Sequence, residues 1–333
     1  MKKSIIKKLF IKLSKVLGYE IIDQSDFSSP TLQKELNEEL SIINKKSIVL
    51  PLGEVVITKK VNSVLIIFRT NTDVELWDQN KRRLFELPKI EYSLRALNSL
   101  IKSINFSKTK YPNIKFKMII VDDNSKEENL NKLKKLINES SLEVSITPLN
   151  HHKYKNTIKQ QKNDQTFSNL ASLLQSFELG KEHGEDLVFF VEDDYLHFEP
   201  MMEEMIASYE RIASQVNKDI FMCPADYPYL YMNNEKTNIL IGNKRHWRTI
   251  DRTLCTVMTT KSLLDKYWDN FYNNCLDRHD PFEKHLNEIY IKEFCISPLK
   301  SLSLHLTNVN SSYGLSPFIN YKKLWDENDI TNA

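Results

Sequence analysis

Two stretches of the sequence carry carboxylates to the ends of apolar runs. Leu187-Val188-Phe189-Phe190-Val191 leads into Glu192-Asp193-Asp194, and Phe116-Lys117-Met118-Ile119-Ile120-Val121 leads into Asp122-Asp123-Asn124-Ser125. A continuous apolar run is what a strand covered on both faces requires, so each cluster stands where a strand leaves the core. Three adjacent acids there would repel one another and lose hydration if left unpaired. A bound divalent cation removes that cost. Mn²⁺ and Mg²⁺ take hard oxygen ligands, often only one or two carboxylates, and fill the shell with water and phosphate oxygens; a nucleoside diphosphate would complete it. Taken alone, Asp122 to Ser125 reads first as a strand-to-helix cap, because Asp, Asn and Ser suit N-caps. Glu192 to Asp194 also has a plainer reading, as a cap or a set of surface acids, but Tyr195-Leu196-His197 returns the chain to apolar character.

The elements that must position these acids follow from periodicity. From residue 61, short β-branched runs alternate with longer helical stretches, the pattern of βαβ units around a mostly parallel sheet. Val64 to Phe68 predicts a first strand with Arg69-Thr70-Asn71 at its end, and helices are expected over 91–104, 127–137, 168–179 and 198–212. Shorter strands are expected at 144–146, 220–223 and 301–306, and helices at 261–268 and 280–290. In a parallel sheet the ligand crevice lies outside the carboxyl ends of the strands, so Arg69, Asp123 and Asp194 should surround one cleft. Ahead of this, residues 1–17 set Ile5, Ile6, Leu9, Phe10, Leu13, Val16 and Leu17 at helical spacing against Lys2, Lys3, Lys7, Lys8, Lys12 and Lys15. Such a basic amphipathic helix suits either an anionic membrane surface or its own domain. A second helical pattern (Leu32, Leu36, Leu40, Ile43) and a strand-like stretch near 47–57 complete a connector. The expected division is 1–60 helix and connector, 61–225 nucleotide-sugar-binding half, and 226–333 acceptor-binding half.

Composition excludes several alternatives. With 333 residues, 41% hydrophobic and 27% charged, the chain has the makeup of a folded protein large enough for an enzyme. A formal net charge of +2 argues against a nucleic-acid binder. Four scattered cysteines lack any CxxC pair and read as reduced thiols. Only 6 glycines leave no room for a glycine-rich phosphate loop. The sequence shows no secretory signal and no membrane-spanning run, which predicts a cytoplasmic protein, with the inner face of the plasma membrane as the place the basic helix would suit.

With the paired acidic strand ends in place, residues 61–310 resemble nucleotide-sugar glycosyltransferases of the GT-A fold. VEDDYLHFEPM is similar to the EDD-containing stretch of the N-acetylglucosaminyltransferase I group and of family-two-like bacterial enzymes. The resemblance implies a Rossmann-like α/β sheet flanked by helices, with a nucleoside diphosphate sugar as donor. It implies that Asp123 contacts the uracil or ribose, that Arg69 and Thr70 line the nucleotide pocket, and that Asp194 binds Mn²⁺ or Mg²⁺ with Glu192 and Asp193 toward sugar and ribose. HWRTIDRTLCTVMTTKSLL resembles the acceptor-side segment, which makes Trp247 and Arg248 candidates beside the donor sugar. His305, in SLSLHLTNV, falls where many such enzymes carry a metal-binding histidine; a lone histidine in an apolar run is more often structural. An inverting transferase needs a carboxylate to take the acceptor proton. Asp280 in RHDPFEKHL is the first candidate, although Asp followed by Pro281 is also a helix start, and Glu283 is the substitute. His151 and His152 receive no role. The sequence departs from the family where 74–89 is longer and more charged, and where Ser168-Asn169 replaces a glycine-rich loop.

The expected function is metal-dependent transfer of a sugar, from UDP above other nucleotides, to a saccharide or lipid-linked acceptor of a bacterial surface polysaccharide. The alternatives are a nucleotidyltransferase acting on sugar phosphates and a non-catalytic carbohydrate-binding protein.

Overall fold

The computed structural model describes residues 5–19, 46–49, 53–74, 83–232, 236–307, 309 and 311–330, and the pattern around Leu32 to Ile43 lies outside them. In chain order the elements begin with α1 (Ile5–Val16), β1 (Lys46–Val49), β2 (Gly53–Val56), β3 (Ser63–Thr70), α2 (Lys89–Lys110), β4 (Lys115–Asp122), α3 (Glu127–Glu139) and β5 (Glu143–Pro148). They continue with α4 (His151–Tyr154), α5 (Asp164–His183), β6 (Leu187–Glu192), β7 (Tyr195–His197), α6 (Met201–Val216) and β8 (Phe221–Met222). The last third holds β9 (Ile239–Ile241), β10 (His246–Ile250), β11 (Val257–Thr260), α7 (Lys261–Lys266), α8 (Trp268–Asn274), α9 (Lys284–Tyr290), β12 (Cys295–Pro298), β13 (Ser303–His305) and α10 (Tyr321–Glu327).

Nine strands form one sheet in the order β5-β4-β3-β6-β11-β8-β12-β10-β9. β3 pairs in parallel with β4 and β6, β4 with β5, and β8 with β12, while only β11 and β10 run against the rest. The mixed α/β class with a mostly parallel, helix-flanked sheet is therefore observed. Strands from both sides of residue 225 interleave in this sheet, so the two expected halves share one core. The strands missed in the sequence are short, and β10 and β11 hide in the polar HWRTI and VMTT segments.

Successive side chains of a strand point to opposite faces, and the apolar runs of β3 and β6 use both. Val64, Ile66 and Phe68 pack with Leu94, Leu97 and Leu100 of α2 and Met205 and Ile206 of α6. Leu65 and Ile67 pack on the other face with Leu170, Leu174 and Phe177 of α5. Gly180 of α5 lies so close to β6 that a Cβ there would stand 2.8 Å from the Phe190 ring. α6 is buried along Met201–Ser214, charged residues included. Buried polar groups there take hydrogen-bond partners: Glu204 accepts from the Lys244 backbone N–H at 2.9 Å, Glu210 from that of Val61 at 3.0 Å, and Arg211 donates to the Ile241 carbonyl at 3.2 Å. A third apolar cluster, around Tyr92, Leu196, Leu304 and Trp325, fixes the β7–β13 pair beside α2.

Candidate active site

Strand register explains which side chains meet. Arg69 lies level with Glu192 across β3 and β6, and Thr70 lies level with Asp122 across β3 and β4. The ends of the parallel strands therefore present their acids and their partners side by side, as expected. Asn71, one residue past β3, joins the two acidic strand ends. Its side-chain amide donates to Asp123 Oδ2 at 3.1 Å, and its backbone N–H reaches Asp193 Oδ2 at 3.3 Å. Asp122 instead turns back to accept from the Ser125 N–H at 3.1 Å, with Asn124 in the left-handed region at φ 55°. Burial raises the Asp122 carboxyl.

The acids do not stand unpaired, which corrects the expectation that a cation is needed to relieve them. Arg69 Nη2 donates to Glu192 Oε1 at 2.6 Å, and Lys89 Nζ lies 2.6 Å from Asp193 Oδ1. Asp193 also accepts from Ser93 Oγ at 2.6 Å and Thr70 Oγ1 at 2.9 Å. Asp194 Oδ2 faces His305 Nε2 at 3.4 Å. The fold has supplied a protein cation for each of the three. Lys89 and Ser93 were missed because the signal is a helix face, one turn apart at the start of α2, that becomes visible only when α2 packs under β6.

These pairings redistribute the expected roles. Arg69 does not border an open nucleotide pocket, since its Nη1 is bound by the Asn169 carbonyl and side chain at 3.2 and 3.0 Å and by Ser172 at 3.1 Å. The Asn169 that replaces a glycine-rich loop thus holds Arg69. Thr70, Glu192 and Asp193 point into this same buried network. Asp194 is the acid left facing a histidine, and the β7–β13 pairing of Tyr195 with His305 brings the two together.

The electrostatics of that last pair are one-sided. Burial alone would raise the Asp194 carboxyl, but His305, and after it Lys89, outweigh burial and hold it well below the usual carboxylate range. Burial would depress His305, yet Asp194 prevails and raises it. The Tyr313 carbonyl accepts from His305 Nδ1 at 3.0 Å, which leaves Nε2 toward the carboxylate. The ring is further held by stacking on Tyr195, centroids 4.8 Å apart. A carboxylate accepts but does not donate, so Nε2 must carry either a proton or a cation shared with Asp194. Among the described residues no three His, Cys, Asp or Glu side chains form a metal site. The donor set fits a cation only as this pair, with the remaining ligands from phosphate and water.

On the other side of Asn71, His151 Nε2 lies 2.8 Å from Asp123 Oδ1. His151 opens α4 directly beyond β5, a place that its sequence surroundings did not reveal. A cavity of about 760 Å³ adjoins it, lined by Asn124, Thr147, Pro148, His151 and Tyr154 among others. Of the two base candidates, Asp280 is exposed and caps no helix, because α9 starts at Lys284 with Glu283 in the cap position. Glu283 is buried, with Oε1 3.9 Å from Cys255 Sγ. Burial, followed by Glu283 and Glu192, pushes the Cys255 thiol well up. All four cysteines are free and buried.

Trp247 and Arg248 are not brought to this cluster. Trp247 is wholly buried in the core, where a Cβ on Gly242 would stand 2.4 Å from its ring. Arg248 is paired with Asp226 and lies over the Tyr231 ring at 4.4 Å, beside a separate cavity of about 680 Å³. Their positions on β10, inside the sheet, follow from pairing with β12 and β9, which the mixed HWRTI segment does not signal.

No protein-family profile matches the chain, and no curated protein matches it. Among solved structures it is similar to S. aureus TarS 1-349 in complex with UDP, with 16% identity over 64% of this chain and 55% of that one and a TM-score of 0.35. It is also similar to the inositol-1-phosphate CTP transferase from T. maritima, with 13% identity over 81% and 97% and a TM-score of 0.40. The galactosyltransferase LgtC, in complex with donor and acceptor sugar analogs, gives 10% identity over 68% and 70% and a TM-score of 0.33. The match spans about half the length of the TarS 1-349 structures. Likenesses of this extent do not define an activity.

Proposed function

We propose that this chain is a glycosyltransferase that takes a sugar from a nucleoside diphosphate, UDP foremost, with the help of Mn²⁺ or Mg²⁺. The observation that carries the reading is the meeting of two acidic strand ends through Asn71, with Asp194 and His305 alongside. Four carboxylates, Asp123, Glu192, Asp193 and Asp194, meet the cations Arg69 and Lys89 there, with His305 facing Asp194. A diphosphate added to that set needs further positive charge, and a divalent cation supplies it. Asp194 and His305 are the residues that would hold the ion, which would neutralise charge on the leaving diphosphate.

The chain's own residues would do the rest. Asp123, steadied by Asn71 and His151, would accept from the nucleoside, and the adjoining cavity has room for a base and ribose. Arg69 and Lys89 would act from beneath, fixing Glu192 and Asp193 so that the Asp194 turn keeps one geometry. Asp280, with Glu283 as the substitute, is proposed to take the acceptor proton in an inverting transfer. The acceptor is proposed to be a saccharide or a lipid-linked saccharide of a bacterial surface polysaccharide. The finer resemblance to the N-acetylglucosaminyltransferase I group rests on the VEDDYLHFEPM segment, and an N-acetylhexosaminyl donor is the corresponding expectation.

Hydrolysis of UDP-sugars, followed with and without Mn²⁺, tests the reading. The expected outcome is metal-dependent turnover that falls at least about a hundredfold in Asp194→Ala, the scale of losing a preorganised charge-stabilising group. Equal rates in the two proteins would overturn the proposal. Turnover of a nucleoside triphosphate with a sugar phosphate, and none of the UDP-sugar, would replace it with the nucleotidyltransferase reading.

A further inference from the structure

One feature of the chain takes no part in the site. On α1, Ile5, Ile6, Leu9, Phe10, Leu13 and Val16 are 80, 80, 68, 60, 57 and 81% exposed. At about 100° per residue these six positions fall within an arc of roughly 140° on one side of the helix. Exposed apolar surface gathered into a stripe marks an interaction site rather than ordinary scatter. The helix also has a firm end: Leu17 N–H donates to the Leu13 carbonyl at 3.2 Å and Tyr19 N–H to the Ser14 carbonyl at 2.9 Å, closed by Gly18 at φ +83°. Nothing lies within 4 Å of a Cβ built on Gly18, so the left-handed turn alone accounts for the glycine there. Leu17 and Tyr19, 66 and 71% exposed, extend the stripe past this end.

We propose that α1 docks the protein flat on a bilayer surface containing anionic phospholipid. Charge selects this occupant. Residues 1–19 contain six lysines and no acid. At about 100° per residue, sequence positions 7, 8 and 15 fall outside the apolar stripe and position 12 at its edge, all of them lysine. A second copy of α1 could cover the stripe, but residues 1–19 of that copy carry no acid to meet the lysines. An anionic lipid surface covers the stripe with acyl chains and meets the lysines with headgroups. Twelve residues span about 18 Å at 1.5 Å each, too short for a hydrocarbon core of about 30 Å. No helix among the described residues is long and apolar enough to cross a membrane. The helix therefore lies in the interface plane, where Tyr19 keeps its hydroxyl wet and its ring buried.

The proposal is independent of the sugar-transfer reading, and its test keeps the two apart. The full chain is floated with vesicles of phosphatidylcholine alone or mixed with phosphatidylglycerol. It is expected to float with the mixed vesicles, to stay behind with phosphatidylcholine alone, and to be released as salt is raised. A Leu9→Glu, Leu13→Glu double variant should lose at least about tenfold in partitioning, with its melting temperature and its response to UDP and Mn²⁺ unchanged. Equal partitioning of the variant and the parent chain would sink the proposal. So would equal binding to both vesicle types. Failure of either protein to float, with a parent dimer that the variant breaks, would assign the stripe to self-association instead.

Discussion

At the scale of single residues, Glu192 and Asp193 are held by Arg69 and Lys89, whereas Asp194 faces His305 and is the acid proposed to meet a ligand. Asp193 is an anion enclosed by Lys89, Ser93 and Thr70, so its partner matters to folding before it matters to chemistry. Lys89→Met leaves that carboxylate buried without its cation, and removing one partner of a buried pair costs about 3 to 5 kcal/mol. Denaturant unfolding should show that loss, and the Lys89→Met, Asp193→Asn double variant should recover a substantial part of it. Asp194→Ala should abolish metal-dependent turnover and, because it takes away a carboxylate that His305 holds well below the usual range, should cost stability as well. His151→Ala removes the group that steadies Asp123 and should weaken UDP binding about tenfold, the scale of one hydrogen bond to a charged group, as read by titration calorimetry.

At the scale of elements, α6 and α5 show how burial sets both the pH response and the packing. Glu210 sits in the buried centre of α6 with one oxygen bonded to the Val61 N–H, and burial pushes its carboxyl up to about 7 from an ordinary 4.5. A carboxyl whose folded pKa is raised contributes stability that is complete below the unfolded value and is lost as pH climbs through the folded one. Stability should therefore fall by about 3 kcal/mol between pH 4.5 and 7 on account of this group. Glu210→Gln, which keeps the acceptor but not the charge, should flatten that slope in melts taken across the same range. On the opposite face, Phe177 of α5 meets Phe190 of β6 and Phe271 of α8 edge-on, each with centroids 4.9 Å apart. Phe177→Ala opens a cavity among three elements and should cost about 3 to 5 kcal/mol, measured by the same unfolding experiment.

At the scale of the whole molecule, the nine-stranded sheet and the separate β7–β13 pair bring together residues from both halves of the chain. β6 ends in Glu192, with Asp193 and Asp194 directly after it, and β13 returns from more than a hundred residues later with His305. Ligand binding should therefore stabilise the fold as a unit. UDP with Mn²⁺ at about a hundredfold excess over Kd should add about 2.7 kcal/mol. Chelating the metal should remove most of that gain, and Asp194→Ala should show little of it from the outset. A thermal melt that rises equally with UDP in chelator would count against the cation's role.

The sequence by itself determined the parallel strands and the acids at their ends. Val64–Phe68, Met118–Val121 and Leu187–Val191 are apolar without interruption, as a strand covered on both faces requires. The amphipathic α1 was equally legible, since its spacing is local. What the tertiary structure decided was the pairing. Arg69 meets Glu192 through strand register, Lys89 meets Asp193 through helix packing, His151 meets Asp123 at the turn beyond β5, and His305 meets Asp194 through a hairpin of distant segments. Trp247 became core and Asp280 an exposed turn for the same reason: neighbours brought close by folding, not neighbours in sequence, set the charge and burial that a side chain experiences.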